Sequence, residues 1–305
     1  MKKVALVCVV LILFNACKSG DESCTMQTSN TANIQSNETG QFTLTTCHNN
    51  IERTYILYVP DTYSPTIGAP IVFNFHGFGG QASDHMLEAD MRSIADTAGF
   101  ILVYPQGALL DGSPHWNTAE IGPGNKSSID DLGFFDWMLD EIIAHYTIDE
   151  QRVYVCGYSN GSFFSYALAC QKSHRIAGLG SVSGAMLDDS LSCSPTHPTA
   201  IIHLHGTSDG VVAYNGTGEY PSVDAAIGYW TTHNLTSTSL TSQPVSSNGF
   251  TIERFFYGGG TGNVGVVLYK VNGGDHVWFD MSYNGASTSE LIWQFLSQYD
   301  INGLR

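Results

Sequence analysis

The sequence predicts an α/β fold: a mostly parallel central sheet with helices on both faces, in a single domain. Short apolar runs rich in Val, Ile, Phe and Tyr alternate with longer helix-compatible runs. That alternation suits parallel strands, which each need a crossover and are covered on both faces. Several of the apolar runs end in Gly-rich turns, the edge where open α/β sheets place ligands. The 305 residues suffice for one large domain with a good core. No internal repeat, membrane span or second domain is evident.

The elements follow in order. Met1-Lys2-Lys3 precedes the apolar run Val4 to Phe14, which reads as a secretory signal peptide over residues 1–16. It closes in Leu13-Phe14-Asn15-Ala16-Cys17, an imperfect lipoprotein box in which Cys17 would be lipidated. Plain secretion with cleavage nearby is the alternative. One acyl chain anchors only marginally, so attachment would need several on Cys17. Residues 17–48 are rich in Ser, Thr and Asn and read as a tether, followed by a domain over 49–305. Strands fit at 53–59, 71–75, 101–104, 152–157, 178–182, 200–205 and 266–271. Helices fit at 84–98, 131–146, 162–172, 222–233 and 286–299, with Asp130 and Asp131 opening the second, where acids suit the dipole. The polar, Gly-rich segment 234–265 shows no readable period.

Charge excludes one class of partner. Twelve Lys and Arg against 28 Asp and Glu give a net charge of −16, and losing Lys2 and Lys3 with the leader takes it to −18. Nucleic acid, bound through cationic contacts, is not expected. Cys24, Cys47, Cys156, Cys170 and Cys193 lie beyond the leader region. In an exported chain disulfides are expected; of the three connectivities open to four cysteines, Cys170–Cys193 with Cys24–Cys47 is the expected one. Cys156, inside an apolar run, reads as a buried free thiol. No Cys/His spacing suits a metal, and no cofactor is expected.

The chemistry concentrates in Gly157-Tyr158-Ser159-Asn160-Gly161, directly after the strand-like run from Arg152 to Cys156. A serine on a sharp strand-to-helix turn presents its hydroxyl above the sheet, and the flanking glycines give that turn room. Serine needs a base, and the base needs an orienting acid. In the order Ser, acid, His, the acid candidate is Asp209, in the turn after Ile201-Ile202-His203-Leu204-His205-Gly206. Alone, Asp209 would read as a turn aspartate capping backbone amides. The base candidate is His276, in the loop Asn272-Gly273-Gly274-Asp275-His276 after the last strand. His203 and His205 are rival bases, but they sit on the acid's own strand with poor reach to Ser159. The run Ile71 to Phe75 leads into His76-Gly77-Phe78-Gly79-Gly80, which would supply one oxyanion donor, the N–H of Phe78 ahead of Gly77. The N–H of Asn160, after the nucleophile, would supply the other. Trp116, Tyr158, Trp278 and Tyr214 are candidate pocket aromatics, each equally readable as core.

These motifs together resemble the α/β-hydrolase esterases grouped with polyhydroxybutyrate depolymerases, feruloyl esterases and acetylxylan esterases. The matching stretches are Arg53 to Pro60, His76 to Gly80, Val103 to Gly107, Asp130 to Phe134, Arg152 to Gly161, Leu168 to Cys170, His205 to Asp209 and Gly273 to Trp278. The chain departs at Ser162 and Asp275, where relatives often carry glycine. The resemblance implies the α/β-hydrolase fold and a triad of Ser159, Asp209 and His276. It implies a secreted serine esterase acting on feruloyl or acetyl esters of plant polysaccharide such as arabinoxylan. The leader with its Cys17 box adds the expectation of a bacterial secreted protein or outer-membrane or cell-surface lipoprotein. A polyester depolymerase is the near alternative; a serine peptidase and a non-catalytic glycan-binding lipoprotein are more distant ones.

Overall fold

The computed structural model describes residue 24 and residues 34–118, 126–187 and 193–305. The leader and Cys17 lie outside the described residues. Among the described residues the strands are β1 (Gly40–His48), β2 (Ile51–Val59), β3 (Ala69–Phe75), β4 (Ile101–Pro105), β5 (Ala108–Leu110), β6 (Ser113–His115), β7 (Ile148–Tyr158), β8 (Gly178–Val182), β9 (Ala200–Gly206), β10 (Thr238–Thr241), β11 (Val245–Ser247), β12 (Phe250–Gly258), β13 (Val266–Asn272), β14 (Tyr299–Asp300) and β15 (Gly303–Leu304). The helices are α1 (Ala82–Glu88), α2 (Arg92–Ala98), α3 (Asp131–His145), α4 (Asn160–Gln171), α5 (Val223–His233) and α6 (Thr288–Leu296).

One large sheet runs β1-β2-β4-β3-β7-β8-β9-β13-β12-β10, with β11 also on β12. Its centre, β4 through β13 in that order, is parallel. The outer strands are antiparallel. Strand alternation divides the core in two. Ile71, Phe73, Val153 and Val155 face α3, α4 and α5, where Phe135, Phe164 and Trp230 lie. Val72, Tyr154, Cys156 and Ile202 face α1, α2 and α6, where Met86, Ala95 and Ile292 lie. The single-domain, mostly parallel architecture expected from the sequence is present.

Three expectations change. The predicted tether ends early, because its last nine residues form β1, paired with β2 from Gly40↔Val59 to His48↔Ile51. The single helix over 84–98 is two. Tyr104 causes the break: its hydroxyl donates to the Ala89 carbonyl at 2.7 Å and accepts from the Met91 N–H at 3.2 Å. The unplaced segment 234–265 supplies β10, β11 and β12. β10 is exposed at all four positions, so it carries no apolar alternation to read.

Two disulfides, Cys24–Cys47 and Cys170–Cys193, have the expected pairing, and Cys156 is a buried free thiol. Burial pushes that thiol well above its ordinary value.

One buried ion pair bears on the site. Asp130 caps α3 by accepting from the Gly133 N–H at 2.8 Å. Asp131, the next residue, points inward and accepts from Arg53 Nη2 at 2.7 Å and from the Asn117 N–H at 2.7 Å. Both ionic side chains are essentially unexposed, and the Arg53 guanidinium also lies 4.0 Å over the Phe134 ring. Removing one member of such a pair leaves an uncompensated buried charge. Asp131→Ala is therefore expected to lose about 3–5 kcal/mol in urea unfolding. A loss below about 1 kcal/mol, the range of exposed pairs, would show that Arg53 finds water or another acceptor.

Candidate active site

The turn between β7 and α4 holds a non-glycine residue at positive φ at the sheet's carboxyl edge. Ser159 has φ 51° and ψ −119°, a left-handed backbone that few non-glycine residues adopt. The turn is held by hydrogen bonds from Ser159 N–H to the Val182 carbonyl at 3.0 Å and from Ser162 N–H to the Ser159 carbonyl at 2.9 Å. A Cβ at Gly157 would run into the Gly161 backbone, and one at Gly161 into the Phe75 carbonyl. The strand, the turn and the helix therefore pack backbone against backbone.

The acid turn and the histidine loop are pinned to each other in the same way. β9 and β13 are paired in parallel from Ile201↔Val266 to Gly206↔Val271, so their following turns emerge side by side. Thr207 N–H reaches the Val271 carbonyl at 3.0 Å, Ser208 N–H the Gly274 carbonyl at 2.9 Å, and Gly273 N–H the Thr207 hydroxyl at 3.0 Å. A Cβ at Gly206 would strike the Gly274 carbonyl.

These two turns and the β7–α4 elbow bring Ser159, Asp209 and His276 together. His276 Nε2 lies 2.9 Å from Ser159 Oγ, and His276 Nδ1 lies 2.8 Å from Asp209 Oδ2. Asp209 Oδ1 accepts from the N–H groups of Val211 and Val212 at 2.9 and 2.7 Å. Burial pushes the Asp209 carboxyl up, but hydrogen bonds from His205, His276 and those two amides outweigh it and hold the group well below the usual carboxylate range. His276 is braced by neighbours as well. Its N–H donates to Asp275 Oδ1 at 2.8 Å, and its carbonyl accepts from the Tyr158 hydroxyl at 2.8 Å.

Ser159 opens on a cavity of about 340 Å³ whose wall includes Phe78, Trp116, Asn117, Asn160, Phe163 and Tyr220. Among the described residues, the backbone N–H groups of Phe78 and Asn160 meet no protein acceptor. His76 shapes the Phe78 loop. Its Nε2 accepts from the Gly107 N–H at 2.9 Å and its Nδ1 donates to the Gly77 carbonyl at 2.7 Å. Burial lowers His76 to about 4, so the ring is neutral. Asn160 uses its side-chain amide on Trp116, accepting from its N–H at 2.8 Å and donating to its carbonyl at 3.1 Å.

The four candidate aromatics part company. Trp116 lines the cavity, though its ring is 2% exposed and stacked on Phe164 at 5.2 Å. Tyr158 stands behind His276, ring centroids 5.1 Å apart, rather than in the cavity wall. Trp278 is core: it packs edge-on against His85 at 5.5 Å with the α1 and α6 side chains. Tyr214 is also core, donating to Asp224 at 2.8 Å. The wall residues that sequence reasoning missed are Asn117, Thr118, Lys126, Phe163, Leu187, Glu219 and Tyr220. Phe163 was legible in principle, since four residues beyond Ser159 on a helix is the same face. Tyr220 arrives on a long irregular connection with no such signal. His203 and His205 are fully buried on β9 and do not reach Ser159.

Residues 126–237 match a family model described as Phospholipase/Carboxylesterase. Feruloyl esterase C of Emericella nidulans is 25% identical over 257 residues, covering 84% of this chain and 88% of that protein. Feruloyl esterase B of Piromyces equi is 26% identical over 258 residues, covering 82% of this chain and 46% of that protein. The chain spans about half the length of several curated relatives it matches. The solved acetyl xylan esterase from Aspergillus awamori superposes with a TM-score of 0.59 at 16% identity, covering 85% of this chain and 99% of that one. That likeness shows the α/β-hydrolase fold.

The depressed Asp209 carboxyl has a consequence for stability. Its charged form is favoured in the folded state, so it contributes stability above the ordinary carboxylate value of about 4, and that contribution is lost as pH falls below it. Asp209→Asn is expected to be less stable than wild type at pH 7 and to show a flatter acid limb below about pH 4. Urea midpoints across a pH series measure it, and parallel curves for the two proteins would remove Asp209 from the acid dependence.

Proposed function

We propose that this feruloyl esterase-like α/β-hydrolase is an exported serine carboxylic-ester hydrolase acting on feruloyl or acetyl esters of plant cell-wall polysaccharide. One observation carries the reading: a strained, cavity-facing serine hydroxyl lies 2.9 Å from an imidazole whose other nitrogen lies 2.8 Å from a buried carboxylate. In this reading Ser159 Oγ attacks the ester carbonyl while His276 Nε2 takes its proton. The tetrahedral oxyanion is held by the N–H groups of Phe78 and Asn160. Collapse expels the alcohol, which leaves with the proton from His276, and the acyl group stays on Ser159. Water, deprotonated by the same imidazole, then releases the acid. Asp209 keeps Nδ1 protonated and Nε2 free to accept.

The wall beside Ser159 favours an aromatic acyl group. Phe78, Phe163 and Tyr220 surround the opening beside Ser159, and Phe163 meets Tyr220 edge to face at 5.6 Å. Flat aromatic surfaces suit a cinnamoyl-type ring. The named relatives, two feruloyl esterases and an acetyl xylan esterase, support the same substrate class. The leader and the two disulfides support export. Attachment through Cys17 is the finer form of that proposal.

Release of ferulate and of acetate from arabinoxylan, and of hydroxybutyrate from polyester, tests the reading. Ferulate or acetate release is expected from wild type and should fall by about 10³-fold or more in folded Ser159→Ala. Release of hydroxybutyrate alone would move the assignment to polyester. Equal activity in wild type and Ser159→Ala would sink the mechanism. Phe163→Ala is expected to raise KM for a feruloyl ester by about tenfold, the loss of about 1.4 kcal/mol of ring contact. Its KM for an acetyl ester of the same alcohol should stay nearly unchanged, and equal effects on both would place the aromatic ring elsewhere.

A further inference from the structure

Behind the acid, β9 turns His203 and His205 to the same face, because alternate strand residues share a side. Both are fully buried, and their rings stack at 5.3 Å and 2°. Neither belongs to the mechanism above. Burial holds His203 well below its ordinary value, and the neighbouring His205 adds to that.

With both rings neutral, the contacts set a single proton order. His205 Nε2 lies 2.8 Å from the Val212 carbonyl, which can only accept, so Nε2 carries a proton. The same Nε2 lies 3.4 Å from Asp209 Oδ2, the oxygen that faces His276. In neutral rings His205 Nδ1 is then an acceptor, and His203 Nε2 donates to it at 3.1 Å. His203 Nδ1 in turn accepts from the Tyr166 hydroxyl at 2.7 Å. Every donor points toward the acid turn. Tyr166 belongs to α4, the helix that begins at the Ser159 turn.

We propose that Tyr166, His203 and His205 form a buried positioning chain that ties the acid turn carrying Asp209 to the helix that follows Ser159. The inference rests on the triad reading above and deepens it. His205 holds the turn through two atoms: the Val212 carbonyl, whose own N–H binds Asp209 Oδ1 at 2.7 Å, and Asp209 Oδ2. Without that grip the carboxylate would keep its amide bonds on Oδ1 and His276 on Oδ2, but the turn that carries those amides would lose its tie to β9 and α4, and with it the fixed position from which Asp209 orients the base.

The test compares His205→Phe, which keeps the ring but has no donor, with His205→Gln, which restores one, and with Tyr166→Phe, which deletes a single oxygen. The readouts are kcat and KM on an activated aryl acetate and the low-field proton NMR signal of the His276 Nδ1–H. Phosphonate labelling at Ser159 and the Ser159→Ala variant serve as controls. Loss of the 2.8 Å hydrogen bond to the Val212 carbonyl together with the 3.4 Å contact to the charged Asp209 Oδ2 predicts a fall in kcat of about 10-fold in His205→Phe, with KM unchanged. The low-field signal should shift or broaden, and His205→Gln should recover most of kcat. Tyr166→Phe should lower kcat by about threefold to tenfold, as for a neutral hydrogen bond, and it decides the matter if His205→Phe does not fold. Wild-type kcat and an unmoved signal in Tyr166→Phe, or in folded His205→Phe, would overturn the chain while leaving the triad standing. Full activity in Ser159→Ala, or no phosphonate on Ser159 of the wild-type protein, would overturn the triad reading and this inference with it.

Discussion

Where Gly206 passes Gly274, the backbones of two turns touch with no side chain between them. That contact decides how close an acid on one turn can come to a base on the other. A methyl group at Gly206 would meet the Gly274 carbonyl, and separating the turns would stretch the 2.8 Å bond between Asp209 and His276. The same device operates between Gly157 and Gly161, where strand and helix meet at Ser159. Parallel pairing of β7, β8, β9 and β13 brings the strand ends to one edge, and the close backbone contacts then set the separations there. The architecture supplies direction, and the glycines supply distance.

The cost of this closeness is electrostatic, and the structure offsets it locally. A carboxylate taken out of water loses its hydration, and it stays charged only if donors replace that hydration. Asp209 has donors at both oxygens: two backbone amides on Oδ1, and the rings of His276 and His205 around Oδ2. The acid turn is therefore shaped around the charge, with its own amides folded back onto the side chain. Had those bonds been weaker than the desolvation, the acid would take up a proton and cease to orient the imidazole. The buried ring of His76 answers the opposite requirement. It is kept neutral so that one nitrogen can accept from Gly107 while the other donates to Gly77, which holds the loop leading to Phe78.

Legibility in the sequence tracks whether a signal is local. Ser159, Asp209 and His276 each stand in a Gly-containing turn at the end of an apolar run, so their placement at one sheet edge could be read from residues within a few positions. The parallel core could be read for the same reason, since fully buried strands are continuously apolar. What escaped depends on distant partners. β1 looks like tether because its nine residues are polar on the exposed face and find their pairing only on β2. The break between α1 and α2 is set by a hydroxyl from β4. Trp278 follows the base by two residues, and only the three-dimensional course of the chain after His276 turns it into the core, against His85. Tyr220 joins the cavity wall through a connection without a period.

The wall opposite Ser159 shows how side chains can stand in for secondary structure. Residues 116–117 lie beyond β6 in no strand or helix, yet their backbone polar groups are buried and need partners. Asn160 satisfies both the N–H and the carbonyl of Trp116, as a neighbouring strand would. Asp131, itself neutralised by Arg53, satisfies the N–H of Asn117. Two side chains from the first positions of α4 and α3 thus replace a missing strand. Because Asn160 also follows Ser159, its backbone shares the nucleophile's turn while its amide fixes the facing wall. Any movement of the elbow is thereby transmitted to Trp116, and the distance across the cavity is set by one residue rather than by the packing of two independent loops.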